Sequence, residues 1–122
     1  MIVQPVKEVS KPWGGELWVA VTEQYALKII VLNAGQRSSL QYHQQKHEHI
    51  YIDQGQAKIE YLGEDGQLTA TICGPGTIIE NQPGALHRVE ALTDLRLIEV
   101  QTPFLDDVVR VEDDYQREEA AR

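Results

Sequence analysis

The chemistry-bearing residues that stand out are histidines, and three of the four lie in one short segment. Gln41 and His43 are two apart, so on an extended segment both side chains point to one face. Glu48 is expected to return on the adjacent strand across a tight turn, and His87 lies shortly after the turn Gln82-Pro83-Gly84. Two facing hairpins would bring these four side chains to one point. Two imidazoles, a carboxylate and an amide oxygen suit a divalent transition metal that keeps open positions for a substrate.

The same run has a plainer interpretation. Histidine and glutamine residues are common in solvated turns, which lie on protein surfaces. Alternation along a strand also turns His49 away from an inward Glu48. We therefore expect His47 and His49 at the surface or behind the ligands rather than in the metal site. Spacing alone favours a metal centre without deciding between these two interpretations.

Short β-branched runs separated by turn residues predict the elements that must position this cluster. Asp65-Gly66 between two alternating runs indicates a hairpin, because glycine accepts the positive φ of a tight turn. The even spacing of the runs, with no long helix between them, predicts an all-β sandwich or barrel. Two weak helices are expected near the end, at 104–107 and 111–117. The predicted strands cover residues 25–32, 50–52, 57–62, 68–73, 77–80, 86–91 and 95–101.

The chain has 122 residues, which predicts a single domain over residues 1–122. No apolar run approaches the roughly 20 residues of a membrane span. The first residues lack the basic start and apolar stretch of a signal peptide, and a lone Cys73 cannot build a disulfide framework. We therefore expect a cytoplasmic protein without a membrane partner.

The net charge is −8, so no basic field exists to attract nucleic acid or anionic lipid. Residues 104–122 hold seven acids against three arginines and contribute −4 of this charge. This acidic segment either packs against the domain or extends as a solvated interaction segment. The remaining −4 does not exclude a small anionic substrate bound by a few local cations.

Residues 35–55 resemble the first cupin motif, with Gln41 at a position where many cupins have a histidine, and residues 76–87 resemble the second. The resemblance extends beyond these two motifs: the chain is similar to the isomerase domain of type II mannose-6-phosphate isomerases. That match runs from about Lys11 to Arg117. Its segments are Lys11-Pro12-Trp13-Gly14, Ser39-Leu40-Gln41-Tyr42-His43, Glu48-His49, His87-Arg88, Ile98-Glu99-Val100-Gln101 and residues 107–115.

This resemblance implies a cupin double-stranded β-helix, a small barrel with a core over residues 11–117 and a short C-terminal helical tail. It implies a metal-dependent isomerase that interconverts mannose 6-phosphate and fructose 6-phosphate. The implied cofactor is one divalent transition metal, with zinc preferred over manganese, cobalt or iron. In that family a nucleotidyltransferase domain often precedes the cupin, but a chain of this length without a glycine-rich start is not expected to carry that activity.

Isomerising an aldose moves a proton between adjacent carbons, which requires a side chain that can carry it. Lys28 and Glu99 are the two candidates, because both lie within predicted strands among apolar residues. Each also has a structural interpretation, since a strand lysine usually faces water and a strand glutamate can pair with a neighbouring cation.

The phosphate of the expected substrate needs charge-assisted donors. Arg88 is the first candidate, with Lys11 and Lys46 as secondary ones. Strand alternation would instead point Arg88 away from an inward His87 and let it tie the barrel rim to the acidic segment. Trp13 is expected either to cover the cavity mouth over the substrate or to cover an apolar edge.

Two other functions compete with the isomerase. An iron dioxygenase also uses two histidines and one carboxylate, although a fourth ligand such as Gln41 leaves fewer positions for oxygen and substrate. A noncatalytic cupin that binds a metal or a sugar is the third possibility, and Gln44-Gln45-Lys46, which departs from the family's histidines and arginine, is its main support. Exposed edge strands, by analogy with the fold, predict a homodimer.

Overall fold

The computed structural model describes residues 1–117; residues 118–122, including Glu118 and Glu119 of the acidic segment, lie outside the described residues. The described residues form strands and turns and contain no α-helix, which confirms the all-β prediction. None of them forms a helix long and apolar enough to cross a membrane. The strands are β1 (Lys7–Lys11), β2 (Gly14–Val21), β3 (Ala26–Leu32), β4 (Leu40–Tyr42), β5 (Glu48–Gln54), β6 (Ala57–Leu62), β7 (Leu68–Cys73), β8 (Ile78–Asn81), β9 (His87–Ala91), β10 (Leu95–Gln101) and β11 (Val109–Glu112).

The strands form two antiparallel sheets. One has the order β1-β2-β3-β10-β5-β8, and the other has the order β11-β4-β9-β6-β7. Side chains alternate along each strand, so every second residue of β3 and β10 is buried, as are Glu48, Ile50 and Ile52 of β5. The predicted hairpin at Asp65-Gly66 is confirmed, because β6 and β7 pair directly around it.

The buried faces of the strands divide into an apolar end and a polar end. On β10 the buried residues run from Leu95 and Leu97 to Glu99 and Gln101. On β5 they run from Ile52 and Ile50 to Glu48. The buried polar residue at the same end is Lys28 on β3 and His87 on the inward face of β9. The register places Glu99 opposite Lys28 and Gln101 opposite Glu48. The polar ends therefore meet at one end of the barrel, above the core of Ile30, Leu32, Ile59, Val89 and their neighbours.

The predicted helices at 104–107 and 111–117 are wrong. Residues 104–107 lie in turns, and Val109–Glu112 is strand β11, paired with β4. The short β4 offers its free edge to this segment, so sheet pairing overrides the weak local helix preference. The structure also contains β1, β2 and β4, which the sequence pattern did not predict.

The described part of the acidic segment packs against the domain, as one of the two interpretations expects. Asp114 accepts hydrogen bonds of 2.6 and 2.8 Å from the Arg37 guanidinium. The Tyr115 hydroxyl donates to Gln36 Oε1 at 2.6 Å. Asp113 accepts hydrogen bonds from the backbone and the side chain of Arg117. These contacts fasten residues 113–117 beside the loop that precedes β4.

The link between the sheets gives a test of the fold. Gly55 joins β5 to β6 at φ 95°, and a Cβ there would lie 2.2 Å from the Asp94 carbonyl oxygen. Gly66 has φ 77°, but open space surrounds its missing Cβ. We expect Gly66→Ala to lower the free energy of unfolding by about 1 kcal/mol, from the backbone conformation alone. Gly55→Ala should lower it by about 3 kcal/mol, because the clash with the Asp94 carbonyl adds to the cost of the backbone conformation. Urea unfolding measures both, and equal costs would contradict this packing.

Candidate metal centre

Three buried side chains, His43, Glu48 and His87, converge at the polar end of the barrel. We call them the triad. Each offers one ligand atom, and these atoms all lie within 4.8 Å of one another. The side chains are at most 3% exposed, and the two imidazole centroids lie 5.1 Å apart. The structure therefore brings together the two histidines and the carboxylate, as expected from the sequence.

The triad is assembled across both sheets rather than by two facing hairpins. Glu48 begins β5 in the six-stranded sheet, whereas His87 begins β9 in the five-stranded sheet. His43 follows β4, in the loop that crosses from one sheet to the other. The expectation that Glu48 returns on the strand next to Gln41 and His43 is wrong, because β4 pairs with β9 and β11 instead.

Backbone carbonyls fix the orientation of both imidazoles and place a hydrogen on each Nδ1. His43 Nδ1 lies 2.6 Å from the carbonyl oxygen of Asp107, and His87 Nδ1 lies 2.9 Å from that of Ala85. A carbonyl oxygen can only accept, so each Nδ1 carries the hydrogen. In the neutral tautomer this leaves the Nε2 lone pair of each ring free, which is the arrangement of metal-binding histidines. Burial lowers the pKa of His87 and so favours its neutral form.

The His43 imidazole and the Glu48 carboxylate face each other in the triad. His43 Nε2 and Glu48 Oε1 lie 3.0 Å apart. Both are fully buried, and neither finds a well-oriented hydrogen-bond partner among residues 1–117. The Lys46 ammonium, 3.0 Å from Glu48 Oε1, partners the carboxylate. In a neutral ring His43 Nε2 is then a buried lone pair that calls for a proton or a metal ion, since an unsatisfied polar atom in the interior costs about 1–3 kcal/mol. The donor set, two imidazoles and a carboxylate, therefore fits a divalent transition metal.

The carboxylate of Glu48 is held in its charged form. Burial acts to raise its pKa, but the adjacent His43 imidazole and the Lys46 ammonium hold it well below its usual range. Lys46 Nζ lies 3.0 Å from Glu48 Oε1, and Asn81 donates to Glu48 Oε2 at 3.3 Å. Lys46 is itself buried, so its contact with Glu48 does not leave it free to serve a phosphate.

Asp107 organises the crossing loop that carries His43. Its carboxylate accepts hydrogen bonds of 2.6–3.0 Å from the backbone N–H groups of residues 44, 45 and 46. Its carbonyl orients the His43 ring. Although partial burial acts to raise the pKa of Asp107, the three N–H donors lower it. Sequence reasoning missed this role of Asp107 and the contact of Asn81, since both depend on residues distant in the chain.

Gln41 adjoins the triad. It lies opposite His87 in the pairing of β4 with β9 and lines the same cavity. Its Oε1 accepts a hydrogen bond from the Ser39 hydroxyl at 2.5 Å. An amide oxygen has two lone pairs, so Oε1 keeps one for a cation. Gln41 as a fourth ligand stays a prediction.

A cavity of about 160 Å³ adjoins the triad and brings both proton-transfer candidates to its wall. Glu99 and Lys28 are each 5% exposed. Burial and then the charge of Glu48 raise the pKa of Glu99 to about 8. Lys28 Nζ lies 3.6 Å from Glu16 Oε1 and 4.8 Å from the centroid of the Trp18 ring.

The predicted substrate contacts divide into two groups. Lys11 and Trp13 line the cavity, and Trp13 is 7% exposed within the core cluster, so it forms a wall rather than an exposed cover. Arg88 does not line this cavity. It donates to the Ser38 carbonyl and contacts Glu112 on β11, because strand alternation turns it away from His87. Arg88 thus ties the barrel to the acidic segment, as its alternative interpretation expects.

Comparison with solved structures places this fold. The chain overlays on CapF, solved with the inhibitor 3-isopropenyl-tropolone, with a TM-score of 0.77 and 17% identity, covering 90% of this chain and 35% of that one. Oxalate decarboxylase from Bacillus subtilis gives a TM-score of 0.75 and 19% identity, covering 87% of this chain and 30% of that one. These likenesses define the class: the chain has the cupin fold, with a histidine- and carboxylate-lined centre.

Sequence comparison narrows the class to a family. The model of the mannose-6-phosphate isomerase C-terminal family matches residues 2–113, and the chain belongs to that family. The mannose-1-phosphate guanylyltransferase ManC of Salmonella typhimurium is 34% identical over 116 residues, which cover 91% of this chain. The match covers 23% of that relative, so the chain spans about a quarter of its length.

The triad predicts how metal content depends on its histidines. His43→Ala and His87→Ala each remove one imidazole ligand, and we expect purified variants to lose the metal of the buried centre. Metal analysis by mass spectrometry measures this after dialysis against a weak chelator. A variant such as Gln44→Ala, on the exposed side of the same loop, is the control. Full occupancy of the buried centre in both histidine variants would contradict the ligand assignment.

Asp107 predicts a weaker but measurable effect, because it orients a ligand without being one. Asp107→Ala removes the acceptor of three backbone N–H groups and loosens the loop that carries His43. We expect the affinity for zinc to fall by about 10- to 100-fold. Chelator competition measures the dissociation constant, and Asp106→Ala, at the exposed neighbouring position, is the matched control. Equal affinities in the two variants would show that the loop does not depend on Asp107.

Proposed function

We propose that the chain is a metal-dependent sugar-phosphate isomerase that interconverts mannose 6-phosphate and fructose 6-phosphate. The observation that carries the proposal is the meeting of the triad with Glu99 and Lys28 at one cavity. Membership of the mannose-6-phosphate isomerase C-terminal family supports this choice of substrate.

The reaction moves one proton from C2 to C1 of the sugar and another from the C2 oxygen to the C1 oxygen. When bound to the triad, with Gln41 as a further ligand, a divalent metal supplies Lewis-acid polarisation of the substrate oxygens. Zinc is the first choice for two imidazoles and a carboxylate, with manganese, cobalt and iron as alternatives.

Glu99 is the proposed carrier of the carbon-bound proton. As a carboxylate it takes the proton from C2, and as a carboxylic acid it returns it to C1. Burial raises the pKa of this carboxyl above that of an ordinary glutamate, which makes it a stronger base. Glu99 is itself buried, at 5% exposure.

Lys28 is the proposed partner of Glu99. It lies opposite Glu99 in the pairing of β3 with β10, and its ammonium faces the same cavity. Glu16 and the Trp18 ring hold that ammonium in place. From there it donates hydrogen bonds to the substrate oxygens as negative charge develops on them.

Lys11 is the proposed phosphate contact in place of Arg88. It is half-buried at the cavity and has no ion-pair partner within residues 1–117. Trp13 provides an apolar wall next to it. A lysine without a carboxylate partner binds a phosphate dianion at less cost than Lys46, which already contacts Glu48. A cytoplasmic location and a homodimer also stay predictions of this proposal.

A coupled assay tests the function directly. Metal-stripped protein is resupplied separately with zinc, manganese, cobalt or iron, and fructose 6-phosphate formation from mannose 6-phosphate is followed. We expect at least one metal to restore turnover. Glu99→Gln keeps the size of the side chain but cannot accept the proton, so kcat should fall by about 10²- to 10⁴-fold while bound metal is retained. Glu64→Gln, in the exposed hairpin, is the control.

Three outcomes would contradict parts of this proposal. Turnover in Glu99→Gln within threefold of the control would remove Glu99 as the proton carrier. Binding of mannose 6-phosphate without turnover, with the metal confirmed in place, would make the chain a noncatalytic sugar-binding cupin. Oxygen consumption with the iron-loaded protein, in the absence of isomerisation, would make it a dioxygenase.

A further inference from the structure

A second group of metal-ligating side chains lies on the outer face of the six-stranded sheet. His47, His49 and Glu80 form this group, which we call the outer cluster. Their ligand atoms all lie within 4.8 Å of one another. The cluster is separate from the triad, since its side chains are 39–48% exposed whereas those of the triad are buried.

The register of β5 and β8 builds the outer cluster. His49 lies directly opposite Glu80 in that pairing, and His47 is two residues before His49, so it reaches the same face. His47 Nε2 lies 2.7 Å from Glu80 Oε2, and His49 Nε2 lies 3.4 Å from the same oxygen. The two imidazole centroids are 5.3 Å apart with their planes inclined by 33°. Both Nε2 atoms therefore approach one carboxylate oxygen.

The backbone around the cluster is held in place. The His47 N–H donates to Thr102 Oγ1 at 3.0 Å, and the Thr102 N–H donates to the His47 carbonyl at 3.0 Å. His49 and Glu80 sit within paired strands. Sheet pairing thus fixes the backbone of His49 and Glu80, and a reciprocal pair of hydrogen bonds fixes that of His47. The backbone therefore loses little conformational freedom when an ion binds.

We propose that the outer cluster is a second binding site for a divalent transition metal of the zinc or copper(II) type. Two imidazoles and one carboxylate form a donor set that these ions prefer, whereas magnesium and calcium prefer oxygen ligands alone. The exposed side of the cluster leaves positions for water or an external ligand. This inference does not rest on the proposed isomerase, because it uses none of the residues of the cavity.

The two sites lie on opposite faces of the same strands. Glu48 stands between His47 and His49 and points inward, and Asn81, next to Glu80, donates to Glu48. An ion in the outer cluster would join β5 to β8, the last strand of the six-stranded sheet. Binding to the folded chain alone raises its thermal stability, so zinc bound there should stabilise the protein further after the triad is full.

Zinc stoichiometry tests the proposal. Equilibrium dialysis of the full chain against zinc should give two ions per chain. His49→Ala and Glu80→Gln should each lower the affinity for the second zinc ion at least tenfold. Both variants should still bind the first ion tightly. Glu23→Gln, at an exposed turn position, is the matched carboxylate control and should keep both. These exposed substitutions leave the core intact, and a circular-dichroism spectrum checks that each variant is folded.

A second arm separates the sites. His43→Ala should lose the ion of the triad and keep that of the outer cluster, and His43→Ala with His49→Ala should lose both. A wild-type chain that binds a single zinc ion at saturation would overturn the proposal. The proposal would also be overturned if His49→Ala and Glu80→Gln bound the second zinc ion with the same affinity as Glu23→Gln. In either case the 2.7 Å contact of His47 with Glu80 is an ordinary ion pair between an imidazolium and a carboxylate.

Discussion

The contact between His43 Nε2 and Glu48 Oε1 is the constraint on which this site depends. The two atoms lie 3.0 Å apart, and in the neutral tautomer of His43 both are acceptors. Around them, other groups fix the acceptors in position: the Asp107 carbonyl behind the imidazole, and Lys46 and Asn81 beside the carboxylate. Lys46 already partners the carboxylate, so the Nε2 lone pair of a neutral His43 is the atom without a partner, and a metal ion bound to both side chains would satisfy it.

The fold creates this contact by joining its two sheets at one end. The crossing loop between β4 and β5 carries His43 and Lys46, and β9 brings His87 from the opposite sheet. The strand alternation that buries Leu95 and Leu97 also points Glu99 into the cavity. Core and site therefore follow one periodicity, with the residue types changing from apolar to charged along each strand. A change in strand register would disturb both together.

The sequence predicted the members of the triad and most strands, because strand runs and histidine spacing are local signals. It did not predict β11, whose formation depends on the free edge of β4, or β4 itself, which has only three residues. The role of Asp107 was also out of reach, since its partners lie more than sixty residues away. Arg88 was ambiguous for a related reason: alternation indicated its direction, but only the position of Glu112 showed what it contacts.

The most direct test of this account is a crystal structure of the zinc-loaded chain with anomalous diffraction recorded above and below the zinc absorption edge. The account predicts a strong anomalous peak within bonding distance, about 2.0–2.2 Å, of His43 Nε2, His87 Nε2 and a Glu48 carboxylate oxygen. With zinc bound, both Nδ1 atoms should keep their contacts to the carbonyls of Asp107 and Ala85. A zinc-saturated crystal with no peak at the triad, and with His43 and Glu48 in direct contact as an ion pair, would contradict the central claim.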